Sequence, residues 1–238
     1  MRKLLANRAA LVAVAGLAAL AVAIGLVVAS RVGSDDSGGG TTTAVAGASE
    51  VAALLEGIPQ RDNELGRADA PVTLVEYADF QCPYCAEWAR NAFPVLVRDY
   101  VRSGKLKLVF QGMAFLGPDS ERTLRLVLSA GAQDKMWHAI DLLFVNQGEE
   151  NSGWDTDGLL RGVAEAVPGL DAQRALDDRS SAEISSLLAG HLQFAAENGI
   201  TSTPSFQIGK TGGELRRLDV SSLDAQAMRP AIEDLLEE

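Results

Sequence analysis

The reading of the fold turns on VTLVEYADFQCPYC, Val72 to Cys85. Val72 to Phe80 is a β-branched and aromatic apolar run, the composition of a buried central strand. Gln81 ends it, and Cys82-Pro83-Tyr84-Cys85 opens a helix that runs to about Ser103. Pro83 suits the first helical turn, where its missing N–H costs nothing. Pro94 falls mid-helix and should bend it, because proline removes a hydrogen bond and clashes with the previous turn. Gly104 stops the helix, and Lys105 to Met113 (KLKLVFQGM) alternates as a second strand. Strand, helix and strand of these lengths form a βαβ unit with a right-handed crossover.

Toward the C-terminus the pattern turns helical. Asp119 to about Gly131 and Gln133 to Gln147 repeat Leu, Val, Ile, Met and Phe at helical spacing. Asp155 to Val167 and Asp171 to Asn198 supply more helix, interrupted at Pro168-Gly169, and Gly199 reads as a terminal glycine. Pro204 to Ile208 and Glu214 to Val220 then read as a hairpin across Gly212-Gly213, and Ser222 to Leu236 as an amphipathic helix. The order is β-α-β, a helical insertion over about 118–199, then β-β-α.

Toward the N-terminus the composition changes character. Ala9 to Ala29 has no charged or strongly polar side chain. As a helix this run would extend roughly 31 Å, enough for a bilayer core. Arg2, Lys3 and Arg8 precede it, which by the positive-inside rule keeps the N-terminus cytoplasmic and exports the rest. A cleaved signal peptide is the competing reading, with Val27-Val28-Ala29 as a weak small-residue site, but the apolar run is longer than a typical h-region. The expected organisation is therefore a cytoplasmic tail at 1–8, a transmembrane anchor at 9–30, a flexible linker at 31–57 and a domain at 58–238. SDDSGGGTTT (Ser34 to Thr43) gives the linker its character, with a short helical pattern at Glu50 to Leu55. The formal charge is −11, and residues 1–31 carry four basic and no acidic side chains, leaving −15 on the remainder. A domain that acidic has no electrostatic reason to bind nucleic acid, and polypeptides or a membrane are the expected partners.

The chain has two cysteines, Cys82 and Cys85, where the buried strand passes into the helix. A structural disulfide closing so small a loop would stabilise little, so the pair points to chemistry. Amides and the positive dipole end at the helix start favour a thiolate at Cys82, the nucleophilic form in disulfide exchange. Cys85, about a turn further in, should be less exposed and would resolve. No metal is expected: a zinc site needs four ligands, and His138 and His191 lie 53 residues apart in different predicted helices. A c-type haem needs histidine after the second cysteine, where the chain has Ala86. Both histidines read as ordinary surface or core residues. Trp88 and Tyr84 could flank a peptide-binding surface, although a tryptophan early in this helix is as readily packing.

From about Ile58 to Glu238 the chain resembles the DsbA-like branch of the thioredoxin superfamily. The resemblance rests on Ala70-Pro71-Val72-Thr73 leading into Glu76 to Cys85 (EYADFQCPYC), on Leu143 to Gln147 (LFVNQ) and on Thr203-Pro204-Ser205-Phe206. It implies an α/β thioredoxin-like fold with a central mixed sheet and a helical cap, and a redox-active disulfide between Cys82 and Cys85 in place of a cofactor. It also implies that Pro204 is cis beside the cysteine pair and that the backbone of Thr203 pairs with an extended substrate. Members of that branch often carry an acid at the place of Glu76, where burial would raise its pKa and let it exchange a proton with the buried cysteine. Asp79, nearer the turn, is expected to be solvated. The activity implied is donation of disulfides to exported polypeptides, with a quinone-linked membrane partner as reoxidant. Pro83-Tyr84 between the cysteines also fits a reductase or isomerase, and a peptide-binding or chaperone module without turnover is the reading from a different class. The targeting pattern and the resemblance point to a bacterium.

Overall fold

The computed structural model of the protein describes residues 42–238; the tail and anchor expected at 1–8 and 9–30 lie outside them. Among the described residues no helix is long and apolar enough to cross a membrane. The first element, α1 (Ala48–Leu55), falls within the segment expected to be a linker. It is packed rather than free: Val51 and Leu55 are buried in the main core, and Ala46 and Asn146 exchange two hydrogen bonds, N to Oδ1 at 2.8 Å and Nδ2 to O at 3.0 Å. The folded unit thus begins ahead of Ile58, because one side of this short helix is apolar enough to cover core that would otherwise face water.

β1 (Gln60–Arg61) and β2 (Glu64–Leu65) form a small antiparallel hairpin that is too short to leave an alternating pattern in the sequence. β3 (Val72–Asp79) follows, with every residue buried. The helix expected to run unbroken to Ser103 comes in pieces: α2 (Pro83–Asn91), α3 (Phe93–Leu96) and a π-helical turn at Val97–Val101. The break sits at Ala92, two residues before Pro94, whose ring and missing N–H disrupt the preceding turn. β4 (Leu106–Met113) completes the crossover.

The helical insertion comprises α4 (Pro118–Gly131), α5 (Met136–Val145), α6 (Asp157–Ala166), α7 (Ala172–Asp178) and α8 (Ala182–Glu197). The stretch expected as one helix from Asp171 is two, because Ser181 caps α8 by accepting from the Ile184 N–H. β5 (Ser205–Lys210), β6 (Arg216–Arg217) and α9 (Ala225–Glu237) close the chain.

The sheet order is β1-β2-β4-β3-β5-β6. β3 runs parallel to β4 and antiparallel to β5, with Glu76 opposite Phe110 on one side and Phe206 on the other. The remaining pairs are antiparallel, so the sheet is mixed, as a thioredoxin-like fold requires. One face carries an aromatic core. Phe93 stacks on Trp137 with centroids 5.5 Å apart, Phe80 stacks on Phe144 at 4.9 Å, and Trp88 meets Phe206 at 5.5 Å. Trp88 is thus a packing residue that ties α2 to β5, its indole N–H reaching Met228 Sδ of α9 at 3.4 Å. On the other face Tyr77 stacks on Phe194 of α8 and donates to Gln207 Oε1 at 2.7 Å. His138 and His191 are both buried, His138 Nδ1 against Gln60 Nε2 and His191 Nδ1 accepting from Gly112 N.

At Gly112 β4 meets the insertion closely, for a Cβ there would collide with the Leu124 side chain of α4. We expect Gly112→Ala to lower stability by about 1–3 kcal/mol, the usual cost of overpacking, seen as a lower midpoint in urea unfolding of the full chain. A midpoint equal to wild type would mean that α4 does not seal the sheet at this point.

Candidate active site

The end of β3 is fastened before the cysteines begin. Cys82 N donates to Asp79 O at 3.0 Å, turning the chain into α2. The Asp79 carboxylate accepts from Gln81 N at 2.9 Å through one oxygen, and from Phe115 N at 3.0 Å and Leu116 N at 3.3 Å through the other. It is fully buried, contrary to the expectation that it would be solvated, because it supplies the acceptors for three amides stranded where β3 and β4 end. Gln147 Nε2 donates to Phe80 O at 2.7 Å and to Cys82 O at 3.0 Å, clamping the turn from the insertion side. Gln81 ties down the loop after α5: its Oε1 accepts from Asn151 N and from the Trp154 indole, and its Nε2 donates to Asn151 Oδ1.

On this turn Cys82 is the N-cap residue of α2, extended at φ −75 and ψ 118, and Pro83 occupies the first turn. Tyr84 projects into solvent, and Phe115 stands exposed on the segment bonded to Asp79. Both cysteines are free thiols; Cys82 is 5% exposed and Cys85 fully buried. Cys82 Sγ lies 3.3 Å from Thr203 O. The Thr203–Pro204 bond is cis, as the resemblance implied, and it immediately precedes β5, whose pairing with β3 brings it to the cysteine turn. Glu76 is buried on β3 with neither carboxyl oxygen hydrogen-bonded.

The two sulfurs sit in opposite electrostatic situations. Cys82 is lowered from 9.0 to about 6, chiefly by the hydrogen bond from Cys85 and then by Thr203 and the Cys85 and Tyr84 amides, against the opposing effect of burial. Cys85 is pushed well above its ordinary value, first by burial and then by its neighbours Cys82 and Glu76. Glu76 is also pushed well up, by burial first and by the charge of Asp141 second. Asp141, on α5, rises to about 7 through burial alone. At neutral pH the arrangement can therefore hold a thiolate at the helix start above a protonated thiol and a protonated carboxyl.

Cys82, Cys85, Glu76, Thr203 and Pro204, spread over residues 76–204, come together around the C-terminal half of β3 and the turn that follows it. Sequence reasoning passed over Asp141, Gln81 and Gln147 as site residues. Asp141 had a signal, a lone acid in the apolar helix MWHAIDLLFV; the two glutamines lie in the motifs EYADFQCPYC and LFVNQ that carry the resemblance, but nothing in those motifs shows which groups they bond.

Residues 60–225 match the family described as thioredoxin, and the chain belongs to that family. Within the superfamily it is a DsbA-like thiol–disulfide oxidoreductase. Among curated proteins it is 31% identical over 166 residues to the probable disulfide bond formation protein D of Bacillus anthracis, a match spanning 67% of this chain and 73% of that one. Among solved structures it superposes on oxidised BdbD from Bacillus subtilis with a TM-score of 0.65 at 22% identity, over 76% of this chain and 98% of that one. DsbA2 from Pseudomonas aeruginosa gives 0.57 at 28% identity, over 77% of this chain and 98% of that one.

The depressed value at Cys82 fixes the sign of a pH effect. Stabilisation of its thiolate is complete above the ordinary thiol value of 9.0 and is lost as pH falls through about 6. Alkylation of the reduced full chain by iodoacetamide should accordingly show a single fast cysteine with a midpoint near pH 6. In Cys82→Ser, Cys85 should stay unreactive over the same range. A midpoint near the ordinary thiol value would contradict the site as described.

Proposed function

We propose that the chain donates disulfides to cysteine-containing polypeptides outside the cytoplasm, with Cys82 as the attacked sulfur and Cys85 as its buried partner. The observation that carries this reading is the opposite setting of the two sulfurs, Cys82 acidic and Cys85 buried and held protonated. An acidic thiol is a good leaving group, and stabilising it in the reduced form makes the disulfide more oxidising. The names of the curated relatives, disulfide bond formation protein D, support the same direction.

In the donating half-reaction a substrate thiolate attacks Cys82 Sγ, the Cys82–Cys85 bond breaks, and Cys85 leaves as a thiolate that takes the Glu76 proton. A second substrate thiolate then attacks the substrate sulfur of the mixed disulfide, and Cys82 leaves as its stabilised thiolate. The substrate is oxidised by two electrons and the pair reduced by two. The Thr203 carbonyl, 3.3 Å from Cys82 Sγ, supports a reading in which the Thr203 backbone pairs with an extended substrate segment ahead of Pro204. Exposed Tyr84, two residues from Cys82, and exposed Phe115, on the segment bonded to Asp79, would offer apolar contact to a substrate. The apolar run Ala9 to Ala29 supports a single-pass anchor with the domain extracytoplasmic, and a quinone-linked membrane protein would take the two electrons.

The reduction potential of the pair, measured on the full chain against glutathione, tests the direction. A donor should fall nearer to about −120 mV than to about −270 mV, and a value at the reducing end would make the chain a reductase. Oxidation of a dithiol peptide should be abolished in Cys82→Ser. Glu76→Gln should slow it on the order of tenfold or more and change its pH profile. Peptide oxidation by Cys82→Ser at the wild-type rate would leave only a binding module.

A further inference from the structure

Beneath α2 lies a second buried carboxyl that the reaction as written leaves unused. Glu76 shares with Leu74 and Ala78 the face of β3 that packs into the core containing Cys85. Both its oxygens are sealed from water without a hydrogen-bond partner. A proton given up there cannot be replaced directly from solvent. Asp141, near the middle of α5, is 6% exposed. It lies one turn from Trp137, which meets Phe110 beside Glu76 in the sheet, and one turn from Phe144, which stacks on Phe80, so α5 crosses the strand face that carries Glu76. It also lines an open cavity of about 250 Å³ between α1, α2 and α5, with Val51, Leu54, Ala89, Arg90 and Arg98 among the other walls. None of these residues belongs to the sulfur face formed by Cys82, Tyr84, Thr203 and Pro204. Along α2 the cavity starts seven residues past Cys82, about 10 Å down the helix axis.

We propose that Asp141 is a positioning residue that passes protons between the solvent of this cavity and Glu76, so that Cys85 gains and loses its proton by a route that bound substrate does not cover. The inference rests on the role proposed for Glu76 and adds the source of its proton. When Cys85 leaves the disulfide as a thiolate, the Glu76 carboxyl, which no hydrogen bond holds in place, turns to give its proton to sulfur and then takes the Asp141 proton, and a buffer acid in the cavity reprotonates Asp141. Reoxidation runs the sequence backwards and releases one proton to solvent; no electron moves in these steps.

Three features favour this path. Two neighbouring buried carboxylates resist being ionised together, so a charge created on one draws the proton of the other. Asp141, raised by burial to about 7, can gain and lose a proton near neutral pH, which suits transfer there. The groups facing it are few: Glu50 of α1, Arg90 of α2 and Arg98 of the π-helical turn line the cavity, and Glu76 of β3, with Cys85 beyond it, lies on the inner side.

The test compares the full chain with Asp141→Asn, Asp141→Glu and Glu76→Gln, following reduction by a dithiol peptide and reoxidation between about pH 5 and 9. Asp141→Asn should slow both directions on the order of tenfold and remove the limb of the profile near pH 7, while the Cys82 ionisation stays in place. Asp141→Glu should restore that limb. If Asp141→Asn follows wild type while Glu76→Gln loses its limb, the inference fails and the role of Glu76 stands. If Glu76→Gln follows wild type as well, both fail. Slowing that Asp141→Glu does not rescue, accompanied by a lower melting temperature, would make Asp141 a packing residue and overturn the inference.

Discussion

Everything in this molecule is arranged around the complete burial of one strand. β3 has neighbours on both edges and cover on both faces, so none of its side chains reaches solvent. A strand in that position can end only where its last amides and carbonyls find internal partners. Asp79, Gln81 and Gln147 provide them, and the sulfur chemistry begins at the next residue. Cys82 is therefore fixed by a backbone whose hydrogen bonds are accounted for on three sides. Its acidity follows from that fixity, since amides and a neighbouring thiol stabilise a charge well only when they do not have to move to meet it.

The same burial explains the behaviour of the acids. A carboxylate left without hydrogen bonds in an apolar core is far costlier than a carboxylic acid, so Glu76 keeps its proton. Asp79, equally buried, accepts three amide hydrogen bonds. Two acids three residues apart on one strand thus have different chemical characters, decided by which of them has donors within reach. Their spacing also puts them on opposite faces of the strand.

The sequence made the strand, the cysteine turn and the second strand legible because apolar composition and proline placement are local signals. Val72 to Phe80 announces a buried strand, Pro83 marks a helix start, and Pro94 marks a bend that the structure turns into a break at Ala92. The cis bond at Pro204 was accessible only through resemblance, since nothing in a Thr-Pro pair distinguishes the two isomers. The burial of Asp79 was not legible because its three donors come from Gln81, Phe115 and Leu116, two of them more than thirty residues away. The split between α7 and α8 was missed because Ser181 looks like any polar helix residue until its side chain is seen capping the next turn. The small β1–β2 hairpin is too short for alternation to register, and the helical pattern at Glu50 to Leu55 gives no sign of its packing, because contacts far along the chain hold it in place.

These distant contacts shape how the domain assembles. α1 is among the first parts of the folded unit to be synthesised, yet Ala46 bonds to Asn146, one hundred residues later. β3 likewise acquires its second edge only when Ser205 to Lys210 has been made. A chain growing from its N-terminus holds Val51, Leu55 and one side of its central strand open until the insertion and the last hairpin arrive. The contacts that close the core are long-range, which makes for a slow search and a late, concerted completion. During that interval the two thiols share their surroundings with exposed apolar chain, and the chemical asymmetry between them is acquired only at the final step.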